Sequence, residues 1–169
     1  QIGRGDIPFP SIKSILPQAY AISKSDYNKI FPPVGWYCSY KADGERAILQ
    51  VYIRGQIRET KKKFKGGFED TGTVLTCVLQ TSNKIHLLAG NYDIGTSRLS
   101  VALEGELIMM TQAESTAYFL AYDCLVSRDI SVLEQNYKTR LIALAESVGD
   151  LTELLKNENP TIKLHHNSP

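Results

Sequence analysis

Lys41-Ala42-Asp43-Gly44-Glu45-Arg46 is the stretch on which the reading of this chain turns. A lysine stands two residues before an Asp-Gly pair, and an arginine two residues after it. Upstream, Trp36-Tyr37-Cys38-Ser39-Tyr40 is a β-prone run. Downstream, Ala47-Ile48-Leu49-Gln50-Val51-Tyr52 is apolar and β-branched enough for a second strand. Asp-Gly between two such runs is a common hairpin signal, and a plain hairpin turn is the simplest reading. The functional reading puts Lys41 at a strand end, where a tight turn aims it into a cleft. An amine attacks only when neutral, and burial beside other cations brings a lysine pKa down to roughly 7–8. Lys41 is therefore the candidate nucleophile.

The 169 residues suffice for one domain with a real core, and 43% hydrophobic with 22% charged residues is ordinary for a globular chain. Nineteen basic residues against eighteen acidic leave a net charge of +1, so only local clusters bear on nucleic-acid binding. No apolar run has membrane-spanning length and no signal-peptide pattern is present, so no membrane partner is expected. Cys38, Cys77 and Cys124 lie far apart without a Cys-x-x-Cys pair, which argues against zinc and fits a reducing compartment. The chain begins at Gln1, as a piece cut from a longer polypeptide would.

Residues 1–10, rich in Gly and Pro, read as a flexible arm, and residues 11–169 as the domain. One helical turn is expected over residues 11–16. Ser23 to Asp26 offers caps for a short helix from Asp26 to Phe31, stopped by Pro32-Pro33. Arg54-Gly55-Gln56 reads as a turn. Lys61-Lys62-Lys63-Phe64-Lys65 is a basic cluster, either a solvated surface or a phosphate-contacting patch for an RNA end. Strands are expected over 73–79, 84–89, 100–110, 117–126 and 161–165, with a loop over 90–97. The apolar run Ala117 to Val126 predicts cover on both faces. Ser131 is placed as the cap of a long helix over 132–156, with the stripe Leu133, Tyr137, Leu141, Leu144, Val148, Leu151 and Leu155. Gly149 would bend or split that helix. Strands followed by a long helix give an α+β layered domain.

Attack on a phosphate also needs cations around the nucleotide, commonly Mg²⁺ and arginine. Arg46 is a candidate, and Glu106 and Asp123 could each supply a carboxylate to the metal. Tyr122 or Phe119 could wall a base, but they face opposite sides of a strand, so one at most touches a given ligand. The plainer alternatives are that Glu104 and Glu106 are surface charges around a turn glycine, and that both aromatics are core. His86 reads as a satisfied core or surface histidine. His165 and His166 point apart on a strand and make no joint metal site.

Taken in order, these pieces resemble the covalent nucleotidyltransferases, the mRNA-capping guanylyltransferases and ATP-dependent polynucleotide ligases. Lys41 to Arg46 matches their nucleophile motif Lys-x-Asp-Gly-x-Arg. Leu103-Glu104-Gly105-Glu106-Leu107 looks like their Asp-Gly-Glu motif with Glu104 in place of the first acid. Phe119-Leu120-Ala121-Tyr122-Asp123 looks like the aromatic–acid strand that follows, and Arg140 fits the family's helix. The leader from Ile15 through Trp36-Tyr37 is most similar to the guanylyltransferase region of capping enzymes of nucleocytoplasmic large DNA viruses.

The resemblance implies a nucleotidyltransferase domain, ATP-grasp-like, of mainly antiparallel strands with packed helices. It implies that Lys41 attacks the α-phosphate of GTP with Mg²⁺ or Mn²⁺ assisting, forming lysine–GMP that passes to the diphosphate 5′ end of RNA. Asp43 and Gly44 would shape the turn, Arg46 and Glu106 would contact ribose or phosphate, and Tyr122 would stack on guanine. It further implies partner domains in the same polypeptide (triphosphatase, OB-fold, methyltransferase) and a viral setting, in host cytoplasm or virion. The family's next two motifs, an Asp-Gly strand and a Lys-x-Lys strand, do not appear before Pro169. The expectation is thus a domain incomplete at its C-terminus, a fragment of the enzyme. The alternatives are a ligase adenylation domain and a shortened, non-catalytic relative that binds RNA or protein.

Overall fold

The computed structural model describes residues 21–30, 37–39, 41–62, 65–109, 117–158 and 162–166. The readings made for residues 1–16, Trp36, Tyr40, Lys63, Phe64 and Thr161 lie outside them. Helix α1 (Lys24–Ile30) is opened by a capping box. Ser23 Oγ accepts from the Asp26 amide at 3.2 Å, and Asp26 Oδ2 accepts from the Ser23 amide at 3.3 Å.

The strands are β1 (Glu45–Lys62), β2 (Lys65–Thr81), β3 (Ile85–Ala89), β4 (Arg98–Met109), β5 (Ala117–Ser127), β6 (Ile130–Ser131) and β7 (Ile162–His166). They form a 7-stranded sheet in the order β3-β2-β1-β4-β5-β6, with β7 also on β5. The path is antiparallel throughout, and only β7 runs parallel to its neighbour, pairing Ala117 with Ile162. Helix α2 (Tyr137–Leu155) packs on β5 and β7.

Alternation along β1 sorts its side chains to two faces. Ala47, Leu49 and Val51 join Leu103, Phe119 and the α2 residues Leu144, Val148 and Leu151 in one core cluster. On the opposite face Tyr52, Val78 and Ile85 pack under Tyr92 and Ile94 from the loop after β3. Two buried glutamines sit on that face, and they satisfy each other: Gln50 Nε2 donates to Gln80 Oε1 at 2.6 Å, and the Tyr52 hydroxyl donates to Gln50 Oε1. Burial pushes the Tyr52 phenol up to about 12, so it stays a donor.

Several sequence expectations need correcting. Residues 37–39 and 41–43 form no strand, and β1 starts only at Glu45, so Lys41 precedes a strand instead of ending one. Asp43-Gly44 accordingly closes no hairpin. Arg54-Gly55-Gln56 lies inside β1, where the irregularity is a register shift at Gln56/Ile57. Ser131 belongs to β6 and caps nothing. The α2 cap is Asn136, whose Oδ1 accepts from the Thr139 amide at 2.9 Å. Leu133 lies outside the helix and is 46% exposed, and α2 runs unbroken through Gly149. β5 is closed on one face over its first half, where Ala117, Phe119 and Ala121 are buried while Tyr118, Leu120 and Tyr122 are half-buried, and on both faces further on, where Cys124 and Leu125 are buried in different clusters.

Candidate active site

Gly44 sets the approach of the motif to the sheet. A Cβ there would lie 2.5 Å from the Leu107 carbonyl oxygen and 3.1 Å from its carbon. Only glycine lets the chain enter β1 this close to β4. Register then places Glu45 opposite Leu107 and Arg46 opposite Glu106.

Glu104, not Glu106, is the hub. It is 6% exposed and lies two residues from Glu106 on the same face of β4. Arg46 donates to its Oε1 from Nε at 2.9 Å and also from Nη2. The Tyr122 hydroxyl donates to the same oxygen at 3.1 Å. A bulge brings Tyr122 there. Glu104 pairs with Asp123 and Gly105 with Ala121, which leaves Tyr122 as the extra residue on β5. Gly105 permits the tight crossing, since a Cβ would stand 2.8 Å from Ala121 Cα. Reading Glu104 and Glu106 as surface charges around a turn glycine is therefore wrong for Glu104, and Gly105 is a strand residue.

The charges explain the protonation states. Burial works against the Arg46 cation, but the hydrogen bond and charge of Glu104 outweigh it and hold Arg46 above its ordinary value. Burial, with the negative charge of Glu104, pushes the Tyr122 phenol far up, so it remains a donor. Burial also raises Glu106, against the pull of Arg46 and Lys41 and with a push from Asp43. Lys41 and Asp43 therefore lie within electrostatic reach of Glu106. Arg46, Glu104 and Tyr122 form one hydrogen-bonded cluster with Glu106 beside it on β4, and Lys41, which is exposed and not buried in a cleft, lies on the segment that Gly44 brings against Leu107.

Several predicted site residues fall elsewhere. Phe119, 1% exposed, is in the core beneath α2, so it walls no ligand. Asp123 is occupied by Arg140, which donates from Nε to Oδ1 at 2.8 Å and from Nη2 to Oδ2 at 3.2 Å. The Cys124 amide also donates to Oδ1 at 2.8 Å. Asp123 is thus a structural partner and does not fit a metal ligand. No group of three or more His, Cys, Asp or Glu gathers as a metal site among the described residues. Lys61 and Lys62 end β1 and Lys65 begins β2, at the far end of the strand that starts beside Lys41. At about 3.3 Å per strand residue that is roughly 50 Å away. An apolar groove of about 530 Å³ lies between the end of α2 and β7, lined by Thr152, Leu155, Ile162 and Leu164, and shares no residue with the cluster.

Sequence reasoning missed the part played by Tyr137, which it counted only as helix stripe. Its hydroxyl donates to the Tyr122 carbonyl at 3.0 Å, and the Arg140 guanidinium lies 5.3 Å from its ring centre. Its ring meets Tyr37 edge to face, with centroids 5.2 Å apart and planes at 70°.

No protein-family model matches the chain. It is locally similar to the mRNA-capping enzyme of African swine fever virus. In a South African tick isolate the identity is 45% over 47 residues, covering 25% of this chain and 5% of the relative. In a Kenyan pig isolate it is 51% over 40 residues, covering 24% and 5%. The chain is thus related to a viral capping enzyme over a quarter of its length, and the match spans only about a twentieth of that relative.

Proposed function

We propose that this chain carries the nucleophile of an mRNA guanylyltransferase of nucleotidyltransferase fold. The observation that carries the reading is the gathering of Arg46, Glu104, Glu106 and Tyr122 beside the Lys41 segment. The local similarity to viral mRNA-capping enzymes supports it. In this reading Lys41 Nζ attacks the α-phosphorus of GTP. A P–N bond forms, the α–β bridging P–O bond breaks, and pyrophosphate leaves as the nitrogen loses a proton. A terminal phosphate oxygen of diphosphate-ended RNA then attacks the same phosphorus, the P–N bond breaks, and Lys41 regains its proton.

Arg46 contributes fixed positive charge near the phosphates or ribose, and Glu104 keeps it in place. Tyr122 offers a ring face to guanine. Glu106 is the one carboxylate of the expected metal pair that is not ion-paired to Arg140, too sparse a donor set to build a Mg²⁺ or Mn²⁺ site alone. A metal reaching this site would be held chiefly by the nucleotide's phosphates. The lysines at the end of the β1–β2 hairpin stand too far away to share the RNA 5′ end with Lys41, so they would meet RNA downstream of it. Further domains of the same polypeptide, a triphosphatase, an OB-fold and a methyltransferase, are the expected partners.

The test is transfer from α-labelled GTP, with Mg²⁺, in the longest protein that contains this chain. Acid-labile, alkali-stable label on Lys41 is expected, abolished by Lys41→Arg because a guanidinium stays protonated. Preferential AMP transfer would turn the reading to a ligase. Label that survives Lys41→Arg would remove Lys41 as nucleophile.

A further inference from the structure

The segment from Tyr37 to Asp43 has no ladder of strand hydrogen bonds among its described residues, yet it carries the proposed nucleophile. Two points of attachment stand out among the described residues. Downstream, Gly44 lies against the Leu107 carbonyl. Upstream, Tyr37 sets its ring edge to face with Tyr137 at the first position of α2, with centroids 5.2 Å apart. Tyr37 is 48% exposed, so its ring is not held by burial in the core. Tyr137, by contrast, is fixed at both its hydroxyl and its ring. Its hydroxyl bonds the Tyr122 carbonyl at 3.0 Å, Arg140 covers its ring, and Arg140 is itself clamped on both oxygens of Asp123.

We propose that Tyr137 is a positioning residue, whose ring seats Tyr37 and so holds the Lys41 segment at the end of β4 that carries Glu106. Edge-to-face aromatic pairs are specific in geometry, so a seated Tyr37 fixes the direction as well as the distance at which the segment leaves α2. The same tyrosine grips β5 at Tyr122, the residue that the bulge turns toward Glu104. One side chain thus ties the lysine segment to the wall of the cluster, with Arg140 and Asp123 as its brace. The aliphatic stripe of α2 packs the core, but the helix's first residue bonds the backbone of Tyr122. The significance for catalysis rests on the guanylyltransferase reading; the placement of Lys41 does not.

A zero-length carbodiimide tests this on the chain itself. The reagent activates a carboxylate, and an amine that lies beside it displaces the urea to leave an amide, with net loss of water. A Lys41–Glu106 amide is expected, read by peptide mass spectrometry, with a Lys156–Glu153 amide at the other end of α2 as control. Tyr37→Ala and Tyr137→Ala should each lower the Lys41–Glu106 yield about two- to tenfold, the scale of an aromatic pair, and leave the control unchanged. Tyr137→Phe keeps the ring and should restore the yield. The double alanine variant should be no worse than the worse single one. Tyr37→Ala removes an exposed ring and keeps the test decisive if Tyr137→Ala fails to fold. Wild-type yield in Tyr37→Ala, or loss in Tyr137→Phe equal to that in Tyr137→Ala, would overturn the proposal, as would no amide in the unsubstituted chain. An intact amide in a protein that takes no label from GTP would remove the functional reading and leave the anchor standing.

Discussion

Glu104 receives three hydrogen bonds on one oxygen at a position almost closed to water. Glu104→Ala would leave the Arg46 guanidinium and the Tyr122 hydroxyl without that acceptor. We expect a loss of about 2–3 kcal/mol in urea unfolding, at the lower end for a broken ion pair because Arg46 is partly solvated. Glu106 runs the other way. Burial raises its pKa, so the folded chain binds a proton more readily there than the unfolded chain. Stability from this group therefore falls as pH rises from the ordinary carboxylate range through the raised value. Glu106→Gln should raise the melting temperature at neutral pH, and the gain should vanish in acid below the carboxylate range. An equal gain at both pH values would show that the charge is not the cause. At this scale the sequence was informative about residue types and less so about pairings. The Lys-x-Asp-Gly-x-Arg stretch singled out Lys41 and Arg46, and the aromatic–acid strand from Phe119 to Asp123 singled out Tyr122. Register sets Arg46 opposite Glu106 while its guanidinium bonds Glu104, and Tyr122 reaches Glu104 through a bulge between β4 and β5; no local pattern encodes either pairing.

The elements read most clearly where one periodicity dominates. β3, β4, β5 and β7 fall within a residue or two of their expected bounds, and the α2 stripe from Leu144 to Leu155 is buried as its spacing requires. Leu144→Ala should cost about 2–5 kcal/mol, because the side chain is fully enclosed. A loss under about half a kcal/mol in denaturant unfolding would contradict that packing. Two glycines should respond with opposite signs. Gly105→Ala drives a methyl into the Leu120–Ala121 backbone and should destabilise by about 1–3 kcal/mol. Gly149→Ala meets open space inside a helix and should stabilise by about 0.5–1 kcal/mol. The misread elements have local causes. Ser131 resembles a cap, but Arg128 and Asp129, both at positive φ, turn the chain so that Ser131 pairs with Val126. Asn136 then starts the helix. Leu133 matches the helical stripe by spacing alone. Gly55 looks like a turn, yet β1 continues through it because β2 pairs along its whole length. Trp36 to Tyr40 has strand composition, but Tyr37 finds an aromatic partner on α2 where the reading expected a neighbouring strand.

At the scale of the molecule β1 is the spine. It borders the cluster at Arg46, the core at Leu49 and the basic end of the hairpin at Lys62. β4 accompanies it only as far as Ile53, so the remainder pairs with β2 alone. The strand positions of Lys61, Lys62 and Lys65 lie several Debye lengths from the start of β1, given about 8–10 Å at ordinary salt. Replacing the three by Ser should weaken binding of long single-stranded RNA and lower its log–log salt slope by about 2, while GTP labelling stays unchanged. A changed labelling rate would place those residues nearer the site than the strand allows. The succession of strands followed by a long helix was legible from periodicity. The sheet order was not, because it depends on which strands meet across the chain. The pairing of β7 with β5 shows what such order costs in time. β1 and β2 are neighbours in sequence and close a short loop, whereas β7 must find a parallel partner beyond the whole of α2. Assembly should therefore be sequential, with the hairpin zipped early and β7 docked late. In pulse-labelled hydrogen exchange during refolding, the amides of Leu49 and Leu79 should gain protection before those of Ile162 and Leu164.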